Sequence, residues 1–213
     1  MIITSQKPLE EIKRAVAPFG RLALIGCGGC ASVCQTGGTK QVEELARRLD
    51  DKEIVFTFQI EEPCDHRVLT RELARIEDRL AQVDAVLVLA CGIGVQLIGA
   101  SIDKPVLTGL DTIFPGAVIH SGKFLQSCGA CAQCLLNSTA AICPRTLCPK
   151  GIAEGPCSEK VDERCPVYPE ETCVWIRISD KLEKAGTPSS DFLPLDWAAR
   201  SVRRKHPVPS DQQ

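Results

Sequence analysis

Aromatic side chains are scarce in this 213-residue chain: one Tyr, two Trp and six Phe. Nor is there a surplus of positive charge. Lys and Arg total 25 against 27 Asp and Glu, a formal net charge of -2. A nucleic-acid binder needs a basic footprint and, for single strands, stacking platforms, so that class is disfavoured. Long apolar runs are missing too, and none approaches the roughly 18–20 residues of a membrane span. Met1–Lys13 carries charge and lacks the apolar core of a secretory leader, which points to a cytoplasmic protein. There is no Walker loop, no paired-carboxylate motif and no Ser-His-Asp constellation. His66 and His120 each stand alone and read as surface or structural residues. Glu43–Glu44 and Glu61–Glu62 read as solvated faces. Nothing indicates an organic active site on this chain.

Cysteine is what the chain has in excess. There are 13, about 6% of residues, which is below the roughly 8–10% of a small disulfide scaffold. An odd count cannot pair completely within one chain. Without an export route, metal-binding or redox thiolates are favoured over structural disulfides. Cys27, Cys30, Cys34, Cys64 and Cys91 lie in the first half, and the other eight crowd between Cys128 and Cys173.

The first half alternates strand and helix. Leu9, Ile12 and Val16 mark a short helix that stops at Pro18 and Gly20. Arg21–Gly26 and Ile54–Phe58 read as strands, separated by a helix carrying Val42, Leu45, Ala46 and Leu49. Leu69, Leu73, Ile76, Leu80 and Val83 form one stripe of a further helix. Ala85–Ala90 is a near-continuous apolar strand, as in a parallel sheet covered on both faces. Gly94–Ser101 reads as a short helix, Pro105–Gly109 as a fourth strand and Val118–His120 as a fifth. The expected fold class is α/β, a flavodoxin- or Rossmann-like doubly wound parallel sheet, followed by a small Cys-rich, loop-rich metal module. The expected boundaries are 1–122 for the sheet domain, 123–185 for the module and 186–213 for a Pro-rich tail. That tail is read as mobile or partner-bound, with Trp197 a candidate docking point.

Gly26-Cys27-Gly28-Gly29-Cys30-Ala31 follows a strand, opens a helix and formally fits the dinucleotide fingerprint G-x-G-x-x-A. Cysteines in that loop argue against NAD, because thiols add bulk and thiolates repel phosphate. The metal reading uses the same geometry better. Cys27 and Cys30 lie beyond the first strand, Cys64 beyond the second, and Cys91 ends the third. In the order 2-1-3 these strand ends are neighbours, so four thiolates converge in one crevice, as a 4Fe–4S cluster requires. The helix starting near Ala31 adds its positive end. Five candidates compete for four places, and the spare is expected among Cys27, Cys30 and Cys34. Gly28, Gly29 and Gly92, with Gly94, are read as letting backbone N–H groups approach the sulfurs. Zinc fits the same ligands, and spacing does not separate it from a cluster.

Cys128-x2-Cys131-x2-Cys134 is a ferredoxin-type run, and Cys-Pro recurs at Cys143, Cys148 and Cys165. Cys157 and Cys173 complete eight, enough for two clusters or for one cluster and one zinc. The grouping of these eight stays open at this level.

GCGGCASVCQTGGTKQVEELARRL, LACGIGVQ and CGACAQC…ICPRTLCPKGIAEGPC…C…CVW resemble the methylenetetrahydrofolate reductase C-terminal family. More narrowly they resemble its MetV-type small iron–sulfur subunits from acetogenic metabolism, over about Arg21–Leu182. The resemblance implies two or three 4Fe–4S clusters, with zinc in place of one as the alternative. It also implies a flavin-containing (FMN or FAD) MetF-type catalytic subunit as partner. Further redox subunits would dock on the small one, which would relay electrons to or from the flavin. One departure stands out: Ser158-Glu159 follows Cys157 where related chains often carry two glycines.

Overall fold

The computed structural model describes residues 1–132, 134–152 and 155–186. The chain divides into two compact units, 1–125 and 126–213. Trp197 and the Pro-rich stretch from 187 onward lie outside the described residues.

The first unit is built on a four-stranded parallel sheet. Strands β2 (Arg21–Cys27), β3 (Glu53–Ile60), β4 (Ala85–Leu89) and β5 (Val106–Thr108) lie in the order β3-β2-β4-β5. Helices α1 (Leu9–Val16), α2 (Cys30–Val33), α3 (Thr39–Arg48), α4 (His66–Ala74), α5 (Glu77–Leu80) and α6 (Gly92–Ser101) flank it. The apolar runs in β2 and β4 are buried along almost their whole length, because helices cover both faces. Leu22, Leu24, Ile25, Leu87 and Leu89 are fully enclosed. Each such side chain contributes about 1.5–3 kcal/mol of burial.

The expected helical stripe from Leu69 to Val83 is buried, but two helices carry it. The backbone leaves the helical region at Ile76 (φ −123°, ψ 10°), between α4 and α5.

The expected fifth strand belongs elsewhere. Val118–His120 is the end of a long strand, β6 (Leu110–His120), which pairs with β1 (Ile2–Gln6) and β7 (Lys123–Gln126) in a second, three-stranded sheet. The β1–β6 pairing is antiparallel. Gly109 alone separates β5 from β6. A parallel neighbour for β5 would need a crossover of roughly a dozen residues. Strand β1 escaped the sequence reading, although Ile2-Ile3-Thr4 is a β-branched run suited to a strand.

Among the described residues, the second unit is mostly turns, with a 3-10 turn (Leu136–Ser138), a one-turn helix α7 (Pro144–Leu147) and a longer helix α8 (Val174–Lys184). Its buried cluster is small: Val174, Ile178 and Leu182 of α8, against Ala140, Ile142, Leu147, Cys148 and Trp175. Among the described residues, no helix is long and apolar enough to cross a membrane.

Candidate metal centre

The parallel register brings the first-half cysteines together. Cys27 ends β2 opposite Ile60 of β3, and Gly26 pairs with both Gln59 and Leu89. Cys91 follows β4 by two residues and forms the N-cap of α6, while Cys64 follows β3 by four. Two devices hold Cys64 near Cys91. Asp65 caps α4, its carboxylate accepting from Arg67 N–H at 2.9 Å, so a helix begins directly behind Cys64. On the other side Pro63 packs on Gly94 of α6, where a Cβ would stand 3.0 Å from Pro63 Cγ.

The thiols influence one another as neighbours do. Burial pushes the Cys27 thiol up; backbone N–H groups of Ala31 and Gly29 pull it back in part, and the charges of Cys30 and Cys91 add to the rise. Cys64 is more open, yet partial burial raises it too, and Cys91, Cys30 and Glu62 reinforce the shift. Cys30 and Cys91 thus act on both of the others. Cys30 Sγ also accepts from the backbone N–H of Ile2 at 3.4 Å, a donor supplied by the strand that the sequence reading missed. Cys34 turns to the same strand: it is buried, and its thiol donates to the Ile2 carbonyl at 3.7 Å.

The three glycines divide. Gly29 N–H faces the Cys27 sulfur. Gly28 N–H is spent on the Ile60 carbonyl at 2.9 Å, and Gly92 N–H on Thr112 Oγ1 at 2.8 Å. The helix opening at Cys30 has only four residues, so its dipole is slight; the ten-residue α6 beginning beside Cys91 offers the stronger positive end.

In the second unit, Cys128, Cys131 and Cys134 are exposed, Cys143, Cys148, Cys157 and Cys165 half-buried, and Cys173 buried. Ala130 and Ala132, set between the first three, adopt left-handed φ of 47° and 58°. Ala130 N–H donates to Cys128 Sγ at 3.4 Å. Cys148, Cys157, Cys165 and Cys173 line one pocket together with Lys150, Trp175 and Arg177. Lys150 is raised by its pairing with Glu159 at 2.7 Å and, further down, by the charges of Cys157 and Cys165. Glu159 is thereby tied to the pocket wall. The roles of Trp175 and Lys150 were not legible in the sequence, since each depends on partners brought up by turns without periodicity.

Thiolates backed by N–H donors are the donor set that soft, thiophilic centres require. Among the described residues, no three His, Cys, Asp or Glu side chains stand within reach of one common ion. His66 Nδ1 lies 3.5 Å from Thr70 Oγ1 within α4, and Lys7 joins Glu11 and Asp111 at the foot of the β1–β6 sheet.

No curated protein and no solved structure matches this chain. Residues 107–192, a segment that contains all eight cysteines of the second unit and none of the first five, match the family model described as methylene-tetrahydrofolate reductase C terminal.

Proposed function

We propose that this chain is a cytoplasmic electron-transfer subunit of a methylenetetrahydrofolate reductase-type complex, relaying electrons through thiolate-bound 4Fe–4S clusters to or from the flavin of a MetF-type catalytic partner. The observation that carries the reading is the convergence of Cys27, Cys30, Cys64 and Cys91 at the carboxyl ends of three adjacent parallel strands. The family match over 107–192 supports the complex to which the chain is assigned.

Iron–sulfur clusters supply single-electron steps, which a flavin on the partner converts to two-electron hydride chemistry. The chain's own residues hold the sulfurs in place. Cys27, Cys30, Cys64 and Cys91 are the ligands of the first site, and Cys34 is the spare. Ile2, Gly29 and Ala31 N–H groups offset thiolate charge there, and the buried ends of β2 and β4 keep water out. A cubane takes ligands at its four corners, farther apart than around a single ion. Zinc would take the same thiolates at a tighter spacing, and metal analysis separates the two. The dinucleotide reading loses its donors: Gly28 N–H bonds Ile60, and Gly29 and Ala31 N–H groups face Cys27 sulfur, not a pyrophosphate.

The test is iron and acid-labile sulfide analysis of anaerobically purified protein, with EPR after reduction. The expected result is about eight or more irons per chain, at four per cubane. Cys91→Ser is expected to remove about four irons, and Cys34→Ser none. Reduced protein is expected to reduce the flavin of a methylenetetrahydrofolate reductase partner on mixing. Zinc as the only metal would overturn the reading in favour of a structural docking subunit.

A further inference from the structure

The eight cysteines of the second unit follow one another without a spacing that assigns them to sites. We infer that they form two separate four-thiolate sites, an inner one of Cys148, Cys157, Cys165 and Cys173 and an outer one of Cys128, Cys131, Cys134 and Cys143. The inference rests on the thiolate-metal reading proposed above.

The inner four line a single pocket that none of the other four lines. Each arrives there by a different device. Cys173 caps α8 and is buried, and Cys148 ends α7 and packs on the small core of the unit. Cys165 and Cys173 are drawn together by a short antiparallel ribbon. Arg164 bridges Thr172, Cys165 N–H donates to the Glu171 carbonyl at 2.9 Å, and Cys173 N–H to the Glu163 carbonyl at 2.8 Å. Cys157 is brought in by Trp175. The indole Nε1 donates to the Ile152 carbonyl at 3.1 Å, and Gly155 lies so close under the ring that any Cβ there would collide with it. Trp175 is thus a positioning residue: it fastens both sides of the loop leading to Cys157 onto α8. Lys150 and Arg177 bring positive charge to this wall, offset in part by Glu171 in the same lining and by Glu159 paired with Lys150.

The outer four are related by different contacts. Cys143 and Cys148 flank α7, and only Cys148 lines the inner pocket. Cys143 Sγ lies 3.4 Å from Thr146 Oγ1, and that hydroxyl stands 3.8 Å from where a Cβ on Gly129 would be, beside Cys128. Thr146 thus stands between Cys143 and the start of the ferredoxin-type run at Gly129. Three of the outer four are exposed, whereas the inner four are half-buried or buried.

The test uses the full chain, purified anaerobically, with Cys→Ser variants made singly and in pairs. Iron, sulfide and zinc are counted, and the EPR signal of the first-unit site serves as the folding control. Any inner single variant is expected to lose one site's complement, about four irons for a cluster or one zinc. C148S/C165S is expected to lose no more than either single, whereas C131S/C165S loses two complements. Trp175→Phe keeps an aromatic ring of smaller size but not the hydrogen bond; it is expected to speed chelator removal of the inner complement alone, which reports on the site even if a Cys→Ser chain misfolds. Zinc in the inner site with this sorting also supports the grouping. Metal that is present but lost additively within the inner set, or no more by cross-set pairs than by singles, overturns it. A wild-type chain without bound metal overturns the electron-relay reading itself, and the grouping with it.

Discussion

Cys27 is the most heavily shielded of the thiols whose titration is displaced, and its environment dictates how the metal-free protein responds to alkali. Burial raises this thiol above its ordinary value of 9.0, so the folded state holds the proton that the unfolded state releases. The stability from that difference is fully present below pH 9 and is lost as pH rises through the folded value. Metal-free protein is therefore expected to lose stability between about pH 8 and about pH 10, and Cys27→Ala to decline less over that span. Thermal melts at the two pH values check this; parallel declines would show that Cys27 is not responsible. Cys64 shifts in the same direction, so the variant removes only part of the effect. Metal-loaded protein, with its thiolates already ligated, is expected to lack this alkaline decline.

At the scale of elements, the metal site proposed for the first unit depends on α6 lying close to the β3–α4 connection. Gly94 is where they meet: a Cβ there would lie 3.0 Å from Pro63 Cγ and 3.2 Å from Ala90 Cβ. Two terms compete when Gly94 is replaced. Leaving glycine inside a helix gains about 1 kcal/mol. Overpacking costs about 1–3 kcal/mol and grows with side-chain size. Gly94→Ala is therefore expected to be close to neutral. Gly94→Leu is expected to destabilise by about 1–2 kcal/mol and to push Pro63 and Cys64 away from Cys91, lowering the iron of the first site. Urea denaturation and iron analysis measure both. A Leu variant with unchanged stability and full iron would show that this contact does not position Cys64.

The two units differ in what holds each of them folded. The first buries a continuous core from Ile12 to Leu110 and can hold its sheet by apolar burial. The second, among its described residues, buries three side chains of α8 with a few partners, too little for a unit of its size without cross-links. Metal ligation would supply the missing stability. Chelation under anaerobic, reducing conditions is expected to leave amides of β2 and β4 slow to exchange. Amides of α8 are expected to exchange at least about a hundredfold faster, a loss of about 2.7 kcal/mol. Unchanged protection in α8 would mean that its packing alone suffices.

The sequence by itself determined the parallel sheet and the division of the cysteines. Apolar runs such as Ala85–Leu89 and stripes such as Leu69–Val83 record burial locally, and the 2-1-3 order places Cys27, Cys64 and Cys91 at neighbouring strand ends. The second sheet was not legible, because β1 and β6 are more than a hundred residues apart and their pairing leaves no periodic mark. Cys30 and Cys34 look alike in the sequence, and only the packing of β1 on α2, which turns Cys34 to the Ile2 carbonyl and Cys30 to the Ile2 N–H, sets them apart. The pocket of Cys148, Cys157, Cys165 and Cys173 is likewise a product of tertiary structure. In a segment of turns, a residue's direction is decided by distant contacts such as Trp175 on Gly155, and spacing along the chain carries no record of them.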